Sequence, residues 1–280
     1  MNREKIIATI FLLPFFIIFF MFIVAPFIWI LINSFVSEDG DFGFYNYREI
    51  FESRFFMQSF LNSFYISFIS SFIALIISLF GSYSLYKIQA SHFGNMFLSL
   101  NTMTSNFSGV PLAFAFIILM GANGAINLLF RDLGIDFMID IYGSVGINLV
   151  YIYFQIPLAI LLLYPAFHTL DQGSSDSSDI LGASRATYWF KVALPIMMPP
   201  IIGVFIVLFA NAIGAYATIY ALSSGNFNVI PVRIASLIAG DISLNPYLAS
   251  ALSVMLFCLM LVVSLTLFCV SNLFNYKRQK

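Results

Sequence analysis

Six stretches of this chain, roughly 7–33, 59–86, 96–121, 144–168, 199–222 and 249–275, contain no Asp, Glu, Lys or Arg. Each is long enough to carry a helix across a hydrocarbon layer, which takes about 20 residues. Backbone groups in hydrocarbon have no water to bond, so each stretch must satisfy its own N–H and C=O groups, as a helix does. A transmembrane barrel is the wrong shape, because its strands are shorter and alternate in polarity. The chain is 61% hydrophobic and only 9% charged, too apolar for a single soluble globule to bury. The expected fold is an all-α membrane protein with six transmembrane helices in a single domain, 1–280.

Lys and Arg set the expected orientation. With the N-terminus in the cytoplasm, the inner segments hold Arg3, Lys5, Lys87, Arg185, Lys191, Lys277, Arg278 and Lys280. The outer loops then hold only Arg48, Arg54, Arg131 and Arg233, together with most of the acids. Both termini and the segment 174–200 fall inside. Residues 1–35 run apolar for too long to be a cleavable signal. The outer loops are 35–58, with the aromatic-rich FYNYREIFESRFF, then 122–143, with an amphipathic pattern, and 223–248, where a short helix entered at Pro231 is expected. Cys258 and Cys269 lie about 16 Å apart along one helix and read as small apolar residues. The net charge of −1 argues against a nucleic-acid partner. His92 and His168, with no acid in any span, make no metal or acid–base constellation, so neither a metal, a cofactor nor an enzymatic role is expected.

One segment breaks the pattern: SSDSSDILGASRATYWFKVALPIMMPP, 174–200. Ser174, Ser175 and Asp176 are good helix N-caps. Ile180, Leu181, Ala183 and Ala186 fit a short helix, and Gly182 permits a break. A second piece, Arg185 to Ala193, is expected to end at Leu194-Pro195, with Pro199-Pro200 opening the next span. On the residues alone two readings stand. The exposed aromatics either mark a partner surface or sit at headgroup level.

The segment resembles the cytoplasmic signature of permease subunits of binding-protein-dependent ABC importers. That signature runs Glu-Ala-Ala, three residues, Gly, then a hydrophobic residue and Leu-Pro further on. Gly182 is followed by Ala183 and Ser184, and Leu194-Pro195 closes it. Asp176, Ser177 and Ser178 stand at the Glu-Ala-Ala positions, a shortened acid and two serines for alanines. NYREIFESRFFMQSFLNSFYISF (46–68), with Asn62-Ser63, GAINLLFRDLGI (124–135) and NPYLASALSVML (245–256) carry the likeness along nearly the whole chain. IPVRIASLIAGDISLNPYLASALSV is most similar to the branch grouped with polyamine, aminoalkylphosphonate, thiamine or iron(III) importers.

The resemblance implies a type I ABC importer permease fold with a cytoplasmic coupling-helix loop, 174–198, between helices 4 and 5. It implies a bacterial cell membrane, a separate ATP-binding cassette ATPase, a second permease copy or paralogue, and a substrate-binding protein docking on the outer loops. The chain carries no phosphate-binding Gly-x-x-x-x-Gly-Lys-Ser/Thr loop of its own. The expected ATPase-coupling residues are Asp176, Ser177, Ser178, Ile180, Leu181, Gly182, Ala183, Arg185, Leu194 and Pro195. For the translocation pathway the candidates are Asn211, Tyr216, Asn106 and Tyr220, with Asn148 and Gln155 also polar within spans. Such amides also commonly bond a neighbouring helix. Pro111 and Pro157 are expected to interrupt the third and fourth spans. A rival is an ion-coupled secondary carrier, but no span supplies a carboxylate for proton coupling and no inverted repeat is visible.

Overall fold

The structure, a computed structural model, describes residues 3–170, 178, 180–240 and 244–278, with side chains between 11 and 272. Asp176 and Ser177 lie outside the described residues. Among those described, the secondary structure is helical apart from one antiparallel bridge between Val36 and Phe42. Six stretches are long and apolar enough to cross a membrane: Phe11–Asn33, Arg54–Lys87, Gly109–Asp132, Ser144–Phe167, Arg185–Ile213 and Pro246–Asn272. The chain forms two compact units, residues 1–60 with 233–259, and residues 61–232 with 260–280.

In the first unit the initial span is exposed from Phe11 to Ile23. Phe27 meets Phe257 edge-on, with ring centroids 4.8 Å apart. After the span the chain turns on a polar knot. Asn46 Nδ2 donates to the carbonyls of Ser34 and Val36, and the Tyr47 hydroxyl donates to Ser34 Oγ at 2.8 Å. Burial pushes the Tyr47 phenol above its ordinary pKa, against the pull of that hydrogen bond. The expected short helix at Pro231 is Ile230–Ala239. Its second position suits proline, since that N–H would have no partner within the helix.

The second unit holds two apolar clusters. One gathers Leu112, Phe116, Ile147, Tyr151 and Ile219. The other gathers Leu75, Leu163, Phe167, Met197 and Phe205. Buried serines stitch the second span to the fourth: Ser78 and Ser82 donate to the carbonyls of Ile156 and Ile160, and Ser71 donates to Gln155 Oε1. Gln155 is fully buried and its Nε2 donates to Ser70 Oγ and the Tyr151 carbonyl. It is therefore an internal helix–helix tie. Asn148 is also turned inward, donating to the Ser144 carbonyl.

Several local expectations need correction. Pro157 does not interrupt the fourth helix, which runs unbroken from Ser144 to Phe167 through Pro157 and Pro165. Leu194-Pro195 does not end a helix either. A π-turn, Trp189–Ala193, carries the chain straight into Leu194–Ile213, and Pro199 and Pro200 sit inside that helix. The reason is register. The Leu194 N–H bonds back to the Trp189 carbonyl, one residue further than in an α-helix, so the shift occurs where proline has no N–H to give. The first span uses the same device, a π-turn at Phe20–Val24 directly before Ala25-Pro26.

Two apolar runs expected to be single helices are broken. The run 96–121 divides into His92–Ser105 and Gly109–Met120, and the run 199–222 divides after Ile213 with a new helix at Tyr216–Ser223. At the first break Ser108 is extended and Gly109 takes φ +73°, a left-handed value that suits glycine. Pro111 follows in the first turn of the new helix, so it interrupts nothing.

Candidate functional site: an exposed helical corner and two joined helix breaks

The corner between the fourth and fifth spans is built around Gly182. The Ala183 N–H bonds the Ser178 carbonyl at 3.0 Å across Gly182, whose φ is +73°. A bond from the second residue past a helix back to the third residue from its end, over a left-handed glycine, is the Schellman arrangement. Gly182 therefore closes the helical turn that carries Ser178 and Ile180. Ser184 opens the next helix at once, accepting from the Thr187 N–H at 3.2 Å. The corner thus turns within two residues, and each end is capped.

This turn throws apolar side chains outward. Ile180 is 86% exposed and Leu181 84%. Arg185 and Phe190 are exposed as well, whereas Ala183 is half-buried. Trp189 points back and stacks edge-on against Tyr83 with centroids 5.0 Å apart. Tyr83 in turn lies beside Phe167 and under the Lys87 ammonium. Ala193, just behind, is fully buried. Tyr188 and Trp189 anchor the corner to the unit while the tip stays bare. Leu194 and Pro195 are exposed on the helix that follows.

The two breaks lie against each other. The Gly109 N–H donates to Thr218 Oγ1 at 3.0 Å, and a Cβ at Gly109 would touch the Ala217 methyl at 3.8 Å. The Tyr151 hydroxyl donates at 2.8 Å to the carbonyl of Ala215, the residue that opens the helix Tyr216–Ser223. A cavity of about 10 Å³, lined by Ser63, Ser67, Tyr151 and Ala215 among others, adjoins this carbonyl and is about the size for one water. Tyr151→Phe is expected to remove this buried hydrogen bond and to cost about 0.5–1.5 kcal/mol. A thermal unfolding midpoint equal to that of the wild type would show that the tie is not used.

All four pathway candidates are exposed: Asn106, Asn211, Tyr216 and Tyr220. Asn106 caps the helix before the first break, with Nδ2 on the Thr102 carbonyl. Tyr216 and Tyr220 stand one turn apart with ring centroids 5.1 Å apart. Asn211 shares an exposed strip with Gly203, Val207 and Gly214 on an otherwise largely buried helix. Sequence reasoning passed over Asn95, Ser99 and Thr102, which precede Asn106 at helical spacing and are also exposed. That spacing was legible in NMFLSLNTMTSN.

No family model matches the chain. It is similar to the probable sulfate transport system permease protein cysT of Prototheca wickerhamii, 30% identical over 84 residues, which are 30% of this chain and 33% of that protein. It is also similar to the spermidine/putrescine transport system permease protein PotB of Haemophilus influenzae, 28% identical over 57% of this chain and 56% of that one. The matched part thus spans between a third and just over half of these relatives' length. The fold is shared along nearly all of the chain with the crystal structure of a bacterial ABC transporter that imports the acidic polysaccharide alginate, at a TM-score of 0.75, 17% identity and 96% coverage of both chains. The same transporter in complex with its alginate pentasaccharide-bound periplasmic protein matches at a TM-score of 0.75, 16% identity, and 95% and 93% coverage. The architecture is that of ABC importer membrane subunits.

Proposed function

We propose that this chain is the permease subunit of an ATP-driven importer in a bacterial inner membrane, forming the solute pathway by alternating access. The observation that carries the reading is the bare corner at Ile180-Leu181-Gly182, held by caps and by Trp189, on a fold shared with ABC importer membrane subunits over 96% of the chain. Exposed apolar side chains on a rigid turn call for a groove on a partner. That partner is a cytoplasmic ATP-binding cassette ATPase. Closure of two such ATPases on ATP moves two corners together as rigid bodies, because packed interfaces shift between discrete states.

The other parts follow from this reading. The corner lies in the cytoplasm with both termini, in agreement with the bias in Lys and Arg. Ser178, Ile180, Leu181, Gly182, Ala183 and Arg185 face the ATPase, with Asp176 and Ser177 completing the motif. Leu194 and Pro195 carry the motion into the fifth helix. The region 1–280 acts as one permease domain. Six spans from one chain enclose no pathway, so a second permease completes it. The outer loops, rich in acids, receive a substrate-binding protein through its basic patches. Asn106, Asn211, Tyr216 and Tyr220 line the pathway at the joined breaks. The solute is small and polar, of the size of a polyamine, phosphonate, thiamine or chelated iron.

The test is uptake by proteoliposomes holding the assembly purified from host membranes. The solute to follow is the one that the accompanying binding protein carries, identified by mass spectrometry. Uptake is expected only with ATP inside the lumen that faces the ATPase and binding protein on the opposite side. Uptake that follows a sodium or proton gradient without ATP would favour the secondary carrier instead.

A further inference from the structure

In the second unit an apolar groove of about 490 Å³ lies beside the helical corner. Ile76, Phe80 and Tyr83 form one wall at helical spacing on the second span. Trp189, Leu194 and Ile201 form the other wall, on the fifth. Phe167 and Met197, both buried, line it as well. Phe80, Ile76 and Leu194 are exposed, so the groove opens on the surface of the unit.

Depth, charge and width decide what fits this groove. Ile76 lies eleven residues before Lys87, about 16 Å along a helix. That is close to half of the roughly 30 Å hydrocarbon layer. The groove therefore runs from the end of the second span to about the middle of a bilayer. The Lys87 ammonium sits 4.8 Å from the centre of the Tyr83 ring, at the end of one wall. The exposed Lys191 follows Trp189 by two residues at the end of the other. Among the described residues neither lysine is paired with a carboxylate. Each apolar wall thus ends beside a cation. A helix with its side chains is at least about 10 Å across, so a 10 Å length of one fills about 800 Å³. The groove is too small for that, whereas a flexible hydrocarbon chain can follow it.

We propose that this groove holds one acyl chain of an anionic phospholipid of the cytoplasmic leaflet, with the lipid phosphate at Lys87 and Lys191. Within hydrocarbon the gain from seating the chain is close packing rather than dehydration. The headgroup supplies the selectivity, because two ammonium groups at the membrane edge favour a net negative headgroup over a zwitterionic one. Trp189 sits at the level where indole rings are favoured, with an apolar body and a polar N–H. The same Trp189 anchors the corner on Tyr83, so the bound chain packs directly behind the exposed tip. The proposal goes beyond the permease reading and takes from it only that the Lys87 end is cytoplasmic.

Photo-crosslinking tests the proposal in phosphatidylethanolamine vesicles holding the assembly purified from host membranes. The probes are phosphatidylglycerol and phosphatidylcholine carrying the same diazirine on one acyl chain, and mass spectrometry maps the adducts. In the wild type, adducts are expected on Ile76, Phe80 and Leu194, about five-fold more with phosphatidylglycerol. Lys87→Gln combined with Lys191→Gln is expected to bring that ratio close to one. Ile76→Trp fills the groove and is expected to cut the adducts on Phe80 and Leu194 at least about two-fold. Ile77→Trp, exposed and outside the groove, should leave them unchanged. A ratio near one in the wild type, or a ratio that survives the lysine substitutions, would overturn the headgroup site. A Phe80 yield that Ile76→Trp leaves unaltered would place the chain outside the groove. Groove side chains free of adducts, with Phe72 and Ile77 labelled, would overturn the lipid and mean that a partner protein covers the groove. The labelling needs no ATPase, so its failure leaves the permease reading standing, and loss of ATPase co-purification leaves the groove standing.

Discussion

Gly182→Asp is expected to reach the membrane at the wild-type level and to lose its ATPase. Nothing lies within 4 Å of the position that a Cβ at Gly182 would occupy, so the substitution creates no clash within the chain. The left-handed φ of +73° is one that Asp and Asn adopt more readily than other residues. The tip beside Ile180 and Leu181 would nevertheless carry a carboxylate into an apolar groove. An unpaired charge buried at an interface costs about 2–5 kcal/mol, so the co-purified ATPase is expected to fall by at least about ten-fold. Gly182→Asn keeps the side chain's size without the charge and should retain more of the partner. Mass-spectrometric ratios of ATPase to permease, taken alongside membrane levels, measure this. A Gly182→Asp protein that keeps the wild-type ratio would remove the corner from the coupling surface.

Gly146→Ala is expected to damage the fold itself. Gly146 is buried near the start of the fourth span, and a Cβ there would overlap the backbone at Ile141 Cα and Asp140 O. Backbone on both counts cannot swing aside as a side chain does. Overpacking of this kind typically costs about 1–3 kcal/mol. Gly203 is the control, because it lies mid-helix with nothing within 4 Å of its Cβ position. Gly203→Ala should be neutral or stabilise by up to about 1 kcal/mol through helix propensity. Thermal unfolding in detergent should therefore separate the two variants in opposite directions. A Gly146→Ala midpoint equal to that of Gly203→Ala would contradict the close approach at Asp140–Ile141.

The spans were legible because charge is so costly in hydrocarbon that its absence over 20 residues is itself a signal. The corner was legible through Gly182, whose role as a helix cap the structure now supplies. The breaks at Asn106–Ser108 and Gly214–Ala215 were not. Inside a membrane protein the free N–H groups of a broken helix can be satisfied by a neighbour, here Thr218 for Gly109, and that partner is distant in the chain. The continuation through Leu194-Pro195 was missed for a related reason. Proline normally stops a helix, and a π-turn that moves the hydrogen-bond register leaves no mark in residue types. Gln155 and Asn106 show the limit of composition. Both are polar residues in apolar runs, yet one is buried between Ser70 and Ser71 and the other is exposed. Only the fold separates an internal tie from an exposed side chain.

The measurement that bears most directly on the account is purification of the tagged chain from its own host in mild detergent, with quantitative mass spectrometry of what comes with it. The account predicts an ATP-binding cassette subunit in stoichiometric amount. An intact, membrane-inserted chain that brings no such ATPase would contradict it and would leave the helical corner without a partner.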